Sequence, residues 1–275
     1  MSETGDRDPE LDLLEAIYDA LDEEQPQRAL ALAREALSGG DEEDPVVCFL
    51  AGVALLELDE PERAADFLGR AVRIDPDDAE FRTNLALALY RCCRFAEAAV
   101  EAERAVESDP SLPDALFVQG LLLERQGPPG PADEAFRRAA ELDPERFPPT
   151  SRLSDADFEH QIVRARASLP DEFARHLDAV AVTVEPLPSD EILLEEEPPM
   201  DPELFGLFVG VSLPDRSSFS PGGELPPRIL LFKRNLERCF PEPAELVRQI
   251  AITLYHELGH YLGLDEDELE AIDLG

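Results

Sequence analysis

Three Asp-Pro pairs, Asp75-Pro76, Asp109-Pro110 and Asp143-Pro144, stand 34 residues apart. A period of that length restricts the first half of the chain to a stack of similar supersecondary units. Counting back from each proline, small residues return at matching offsets: Gly52, Ala64 and Ala71, then Ala86, Ala98 and Ala105, then Gly120, Ala132 and Ala139. Small side chains at fixed points let two helices approach closely, and the proline ends the second helix of each unit. The intervening pattern is helical, with Leu85, Leu87, Leu89 and Tyr90 in one segment and Ala98, Val100, Ala102 and Ala105 in the next. A degenerate earlier unit is expected over residues 11–37, where Leu14, Ile17 and Leu21 precede Ala29, Ala33 and Ala36.

These residues resemble the tetratricopeptide repeat (TPR) family, whose unit is a helix–turn–helix of 34 residues with small side chains at those places. The large aromatic often found near the start of such a unit is replaced here by Cys48, Arg82 and Leu116. The resemblance covers residues 10–147 and implies an all-α solenoid with a concave groove for a peptide or protein.

The chain has 275 residues and a formal net charge of −38, from 24 basic and 62 acidic side chains. Residues 1–150 carry 14 basic and 36 acidic groups, and residues 151–275 carry 10 and 26, so neither half offers a basic face. Nucleic acid and anionic membrane surfaces are thereby excluded as expected partners, and a basic protein partner is favoured. No apolar run reaches the roughly 20 residues that span a bilayer, and the polar N-terminus does not read as a signal peptide. Cys48, Cys92, Cys93 and Cys239 show no metal or disulfide spacing and read as reduced thiols. The expected location is cytoplasmic; the sequence sets no oligomeric state.

Residues 148–154 read as a linker, because Pro144 to Thr150 breaks helix. Beyond it, residues 155–167 look helical and Ala179 to Val184 reads as a β-branched strand. Residues 186–202 read as a Pro- and Glu-rich loop. Phe205 to Leu213 and Ile229 to Lys233 read as further strands, with Pro221-Gly222-Gly223 turning the chain between them. From Pro243 onward the pattern is one helix, whose buried stripe is Leu246, Ile250, Leu254, Leu258 and Tyr261. Gly263 is placed to end it in a left-handed cap. The expected second domain, residues 155–275, is therefore small and α+β.

Inside that last helix lies His256-Glu257-Leu258-Gly259-His260. Two histidines at i and i+4 present both imidazoles on one face, within reach of a single Zn2+. Glu257 lies beside them, where it can take a proton from water as general base and return it to a leaving amine. His160 and His176 lack ligand-like spacing and read as surface residues. A catalytic zinc takes three protein ligands and keeps one open position. Once Gly263 reverses the chain, the residue six after His260 can return to the metal, as the third histidine does in extended HExxHxxGxxH enzymes; that residue is Glu266.

Together with Phe205 to Val211, Leu213, Leu225 to Ile229 and the terminal Leu274-Gly275, the motif resembles the zincin-like minimal metallopeptidase family of bacteria. The resemblance implies a small zincin whose ligands are the two motif histidines and a carboxylate just after the glycine. That carboxylate is usually aspartate where this chain has Glu266, which leaves Asp265 and Asp267 as alternatives. The resulting expectation is a zinc-dependent peptidase whose repeats recruit a protein. The alternative is a non-catalytic TPR scaffold carrying a metal-binding zincin-like module.

Overall fold

The computed structural model describes residues 9–39, 44–127, 129–214, 226–265 and 268–269. The chain divides into two compact units, residues 1–147 and 148–275. Among the described residues no helix is long and apolar enough to cross a membrane.

The regular elements among the described residues of the first unit are all helices: α1 (Pro9–Asp22), α2 (Pro26–Gly39), α3 (Pro45–Glu57), α4 (Pro61–Ile74), α5 (Ala79–Arg91), α6 (Phe95–Ser108), α7 (Pro113–Gln126) and α8 (Pro129–Leu142). Each helix packs on the next along the chain as a succession of hairpins. Local chemistry sets the starts. Asp44 accepts from the Val46 and Val47 amides, Asp78 accepts from Phe81, and Pro45, Pro61 and Pro113 occupy first-turn positions where no amide is needed.

The periodic Asp-Pro pairs act at the other end. Asp75 and Asp109 close α4 and α6 by donating their main-chain N–H to Ala71 and Ala105. Their carboxylates then accept from Asp77 and Ser111 two residues on. The turns inside the hairpins place Glu24, Asp59 and Cys93 in the left-handed region, at φ 56°, 56° and 57°. Cys92 closes α5 and is buried while Cys93 forms the turn, so the adjacent cysteines are explained by hairpin geometry.

The small periodic residues are all buried, and what faces them varies. A side chain at Gly52 would run into Leu68, and one at Gly120 would run into the Phe136 ring. In the middle unit the equivalent positions are Ala86 and Ala102. Where the periodic residue is glycine, the position one hairpin contact on holds a large side chain, and where it is alanine the equivalent position holds alanine.

The second unit contains α9 (Asp155–Ser168), α10 (Asp171–Leu177), β1 (Ala181–Glu185), α11 (Asp190–Leu193), β2 (Gly206–Val209), β3 (Arg228–Phe232), α12 (Lys233–Cys239) and α13 (Pro243–Leu262). The sheet order is β1-β3-β2, with β1 parallel and β2 antiparallel to the central β3. β3 is buried from Ile229 to Phe232, as a continuous apolar run requires. Phe158, Ile162, Leu177, Val180, Ile229, Leu231, Leu236, Ile250, Leu254 and Leu258 share one core. This is the α+β architecture expected from the sequence, beside the all-α repeats.

Several elements differ from the sequence reading. The strand expected over Phe205 to Leu213 is shorter, because Gly210 turns the backbone to φ 136° right after β2. Lys233 is not a strand residue but opens α12, an unexpected helix carrying the buried polar residues Lys233, Asn235, Glu237 and Arg238. Two of them hold the segment read as linker: the Leu153 N–H donates to Glu237 and the Lys233 ammonium donates to the Leu153 carbonyl. The loop expected over residues 186–202 includes α11, capped by Ser189 and anchored by the fully buried Leu193. The expected Pro221-Gly222-Gly223 turn, Leu225 and the terminal Leu274-Gly275 lie outside the described residues.

Candidate metal centre

α13 carries the site, and its packing decides which side chains point where. Pro243 occupies the first turn, and Leu246, Ile250, Leu254, Leu258 and Tyr261 are buried on one side. The helix ends at Gly263, whose left-handed φ of 88° and ψ of 20° only glycine adopts without strain. The Gly263 N–H reaches the His260 carbonyl and the Leu264 N–H reaches that of Gly259, the paired bonds of a Schellman motif. Pro214 packs against Gly263, and the Leu213 N–H donates to the Tyr261 carbonyl.

His256 and His260, one turn apart and half-buried, bring their Nε2 atoms to 3.1 Å, with the rings at 82° to each other. Two nitrogens each about 2.05 Å from one zinc ion and 3.1 Å apart would subtend about 98° at the metal, near the tetrahedral value. Both are neutral-capable imidazole donors, which suits zinc. The pair therefore fits two positions of a zinc site.

Glu257, the residue between them along the chain, is only 8% exposed and turns toward the sheet. Its Oε2 accepts the main-chain N–H of Phe208 at 2.7 Å. Residues Thr253, Glu257 and Tyr261 follow one another along the face of α13 that meets β2. A Cβ on Gly206 would stand 2.5 Å from Thr253 Cγ2 and 3.3 Å from Glu257 Cγ, and the Phe208 ring lies 5.9 Å from that of Tyr261. Neither Gly206 nor Phe208 was singled out for the site from sequence, although a glycine interrupting a strand pattern signals close backbone approach.

Beyond Gly263 the chain does return along the helix. Leu269 is buried against Gly259, where a side chain would meet it at 2.1 Å. Asp265, an expected alternative ligand, accepts the Glu268 N–H at 2.9 Å while Glu268 accepts the Asp265 N–H at 3.1 Å. In that reciprocal capping box one Asp265 oxygen caps the Glu268 amide. Glu266 and Asp267 lie outside the described residues, and among the described residues no group of three or more His, Cys, Asp or Glu side chains gathers around an ion-sized space. His160 is exposed on α9 and His176 half-buried on α10. Burial pushes the Cys92 thiol up to about 12, as suits a thiol packed inside a helical hairpin.

Comparison with known proteins finds a family for each unit. Residues 177–275 match the zincin-like metallopeptidase family, and residues 20–83 and 55–117 match the tetratricopeptide repeat family. The chain thus joins tetratricopeptide repeats to a zincin-like metallopeptidase domain. Among solved structures it is similar to YrrB, a TPR protein with an unusual peptide-binding site, at 24% identity and TM-score 0.43 over 51% of this chain and 72% of that one. MamA follows at 22% and 0.44, over 51% and 82%. A thermophilic TPR protein of Thermus thermophilus stands at 19% and 0.44, over 49% and 74%. No curated relative matches the chain.

Proposed function

We propose that the second unit is a zinc-dependent peptidase and that the repeats present its protein or peptide substrate. The observation that carries this reading is the convergence of His256 and His260 at 3.1 Å with Glu257 beside them and buried against the sheet. His256 and His260 would hold the ion, and Glu266, following the chain reversal at Gly263, would supply the third ligand. Zinc, when bound, supplies Lewis acidity that activates water and polarises a carbonyl.

The protein's own groups do the rest. Glu257 accepts the proton of the attacking water and passes it to the departing amine, which needs a carboxylate held in one orientation. β2 is an edge of the sheet, so an extended substrate can lie along its outer side while α13 presents the motif below. The burial of Glu257 keeps bulk water from its carboxylate, which strengthens every charge interaction there. The repeats offer a protein-interaction surface, and the acidity of residues 1–150 favours a basic sequence on the partner.

The test combines metal content with hydrolysis of fluorescein-labelled casein by the full chain. Purified protein should carry about one zinc per chain, lose it with His256→Ala or Glu266→Ala, and melt at a lower temperature after chelation. Glu257→Gln should keep the zinc and lose casein cleavage by a factor of about 100 or more. Zinc without any cleavage would instead establish the scaffold alternative, and no zinc at all would remove the metallopeptidase reading.

A further inference from the structure

The antiparallel register fixes which amides of β2 face β3 and which face away. Phe205 opposes Phe232, and the Phe232 N–H donates to the Phe205 carbonyl at 2.9 Å. In an antiparallel ladder such bonded positions alternate. Residues 207 and 209 therefore turn their polar groups toward β3, and residues 206 and 208 turn theirs outward. The outward N–H of Phe208 is the one that Glu257 accepts at 2.7 Å.

Three further features serve that contact. Gly206 removes the side chain that would hold β2 off α13 at Thr253 and Glu257. The Phe208 ring leans on Tyr261, one turn beyond Glu257, so the strand is braced on both sides of the bond. The donor belongs to a main chain paired with the fully buried Ile229, which makes it more rigid than any side-chain donor.

Resting on the peptidase reading, we propose that the Phe208 main-chain N–H is the positioning group for Glu257, holding its carboxylate in the one orientation that proton transfer from the reacting water requires. The assignment also constrains substrate binding. With its N–H committed to Glu257, Phe208 is not a docking donor, and an extended chain on the β2 edge must take its hydrogen bonds from other outward groups.

Two variants separate the N–H from the side chain. Phe208→Pro deletes the donor yet leaves the β2–β3 ladder whole, because that N–H points away from β3. Phe208→Ala keeps the donor and removes the ring. Against labelled casein, Phe208→Pro should show kcat about 100-fold below Phe208→Ala with KM changed only a few-fold, since a base misplaced by about 1 Å costs on that order. Both should retain wild-type zinc content. Independently of activity, amide hydrogen exchange at residue 208 of the metal-free protein should speed up about tenfold or more in Glu257→Ala.

Equal kcat in the two Phe208 variants, or a difference confined to KM, would overturn the proposal in favour of a docking role. Unchanged exchange at residue 208 in Glu257→Ala would overturn it outright. If even wild-type protein leaves casein intact, or Phe208→Pro does not fold, the exchange measurement decides the contact alone.

Discussion

Placing a methyl group on Gly206 tests how closely the sheet and α13 must approach for the site to exist. The alanine Cβ would stand 2.5 Å from Thr253 Cγ2, where ordinary contact begins at 3.4 Å, so β2 and α13 must separate by up to about 0.9 Å. Moved that far along its direction, the 2.7 Å bond from Phe208 to Glu257 would reach about 3.6 Å and cease to be a hydrogen bond. We expect Gly206→Ala to cost about 1–3 kcal/mol of stability and to lower casein turnover roughly 10- to 100-fold.

The same contact supplies its own rescue. Thr253→Ser removes Cγ2 and keeps the hydroxyl that donates to the Gln249 carbonyl at 2.9 Å. The closest remaining neighbours of the new methyl, the Leu230 carbonyl at 3.1 Å and Glu257 Cγ at 3.3 Å, ask for only a few tenths of an ångström. In the Thr253→Ser background, Gly206→Ala should therefore cost less than half as much, by urea unfolding and by turnover alike. Equal penalties in the two backgrounds, within about 0.5 kcal/mol, would refute the close-approach argument.

The repeats allow a parallel experiment on packing. Gly120→Ala brings a Cβ within 2.6 Å of the Phe136 ring and should destabilise, and Phe136→Ala alone should cost about 3–5 kcal/mol. The double variant rebuilds the Ala86 and Ala102 pair of the preceding unit, so urea unfolding should show a cost at least about 1 kcal/mol below the sum. The pH dependence of unfolding probes the attachment of residues 153–155. The Lys233 hydrogen bond and charge hold the Asp155 carboxyl below its ordinary value of 3.8. That pair therefore adds stability above the ordinary value and loses it as pH falls through the lower folded one. Asp155→Asn should lower the melting temperature slightly at neutral pH, with the difference from wild type vanishing in strong acid and shrinking in high salt.

What the sequence made legible were features that repeat or that obey a short-range rule. The 34-residue period, the helix opened by Pro243, its cap at Gly263 and the i, i+4 histidines depend on neighbours along the chain, and each is found where expected. α12 is not legible in the sequence because Lys-Arg-Asn-Leu-Glu-Arg-Cys has no amphipathic stripe of the usual kind: Lys233, Glu237 and Arg238 are buried, and Glu237 and Lys233 secure Leu153 from 80 or more residues away. Burial raises the Glu237 pKa while the Leu153 amide and the charges of Lys233, Arg234 and Arg152 pull it down, and sequence spacing reveals neither. The capping role of Asp265 was hidden for a different reason. An acidic run after two histidines at i and i+4 reads as candidate ligands, and the sequence does not show that one Asp265 oxygen caps the Glu268 amide.

The same limit governs the small residues. Gly52 and Ala86 are interchangeable by pattern, yet one makes room for Leu68 and the other faces an alanine position. In the second unit Gly206 makes room for the Thr253 methyl and the Glu257 stem of α13, and that close approach brings the Phe208 amide onto Glu257. A sequence shows where bulk has been withheld, whereas only the fold shows whether the close approach it permits serves apolar packing, as at Gly52, or a polar contact, as between Phe208 and Glu257. The metal motif illustrates the difference in scale. Two histidines one turn apart need only a helix, but the Glu257 carboxylate meets its main-chain donor only when a strand about 50 residues away in sequence arrives within hydrogen-bonding distance.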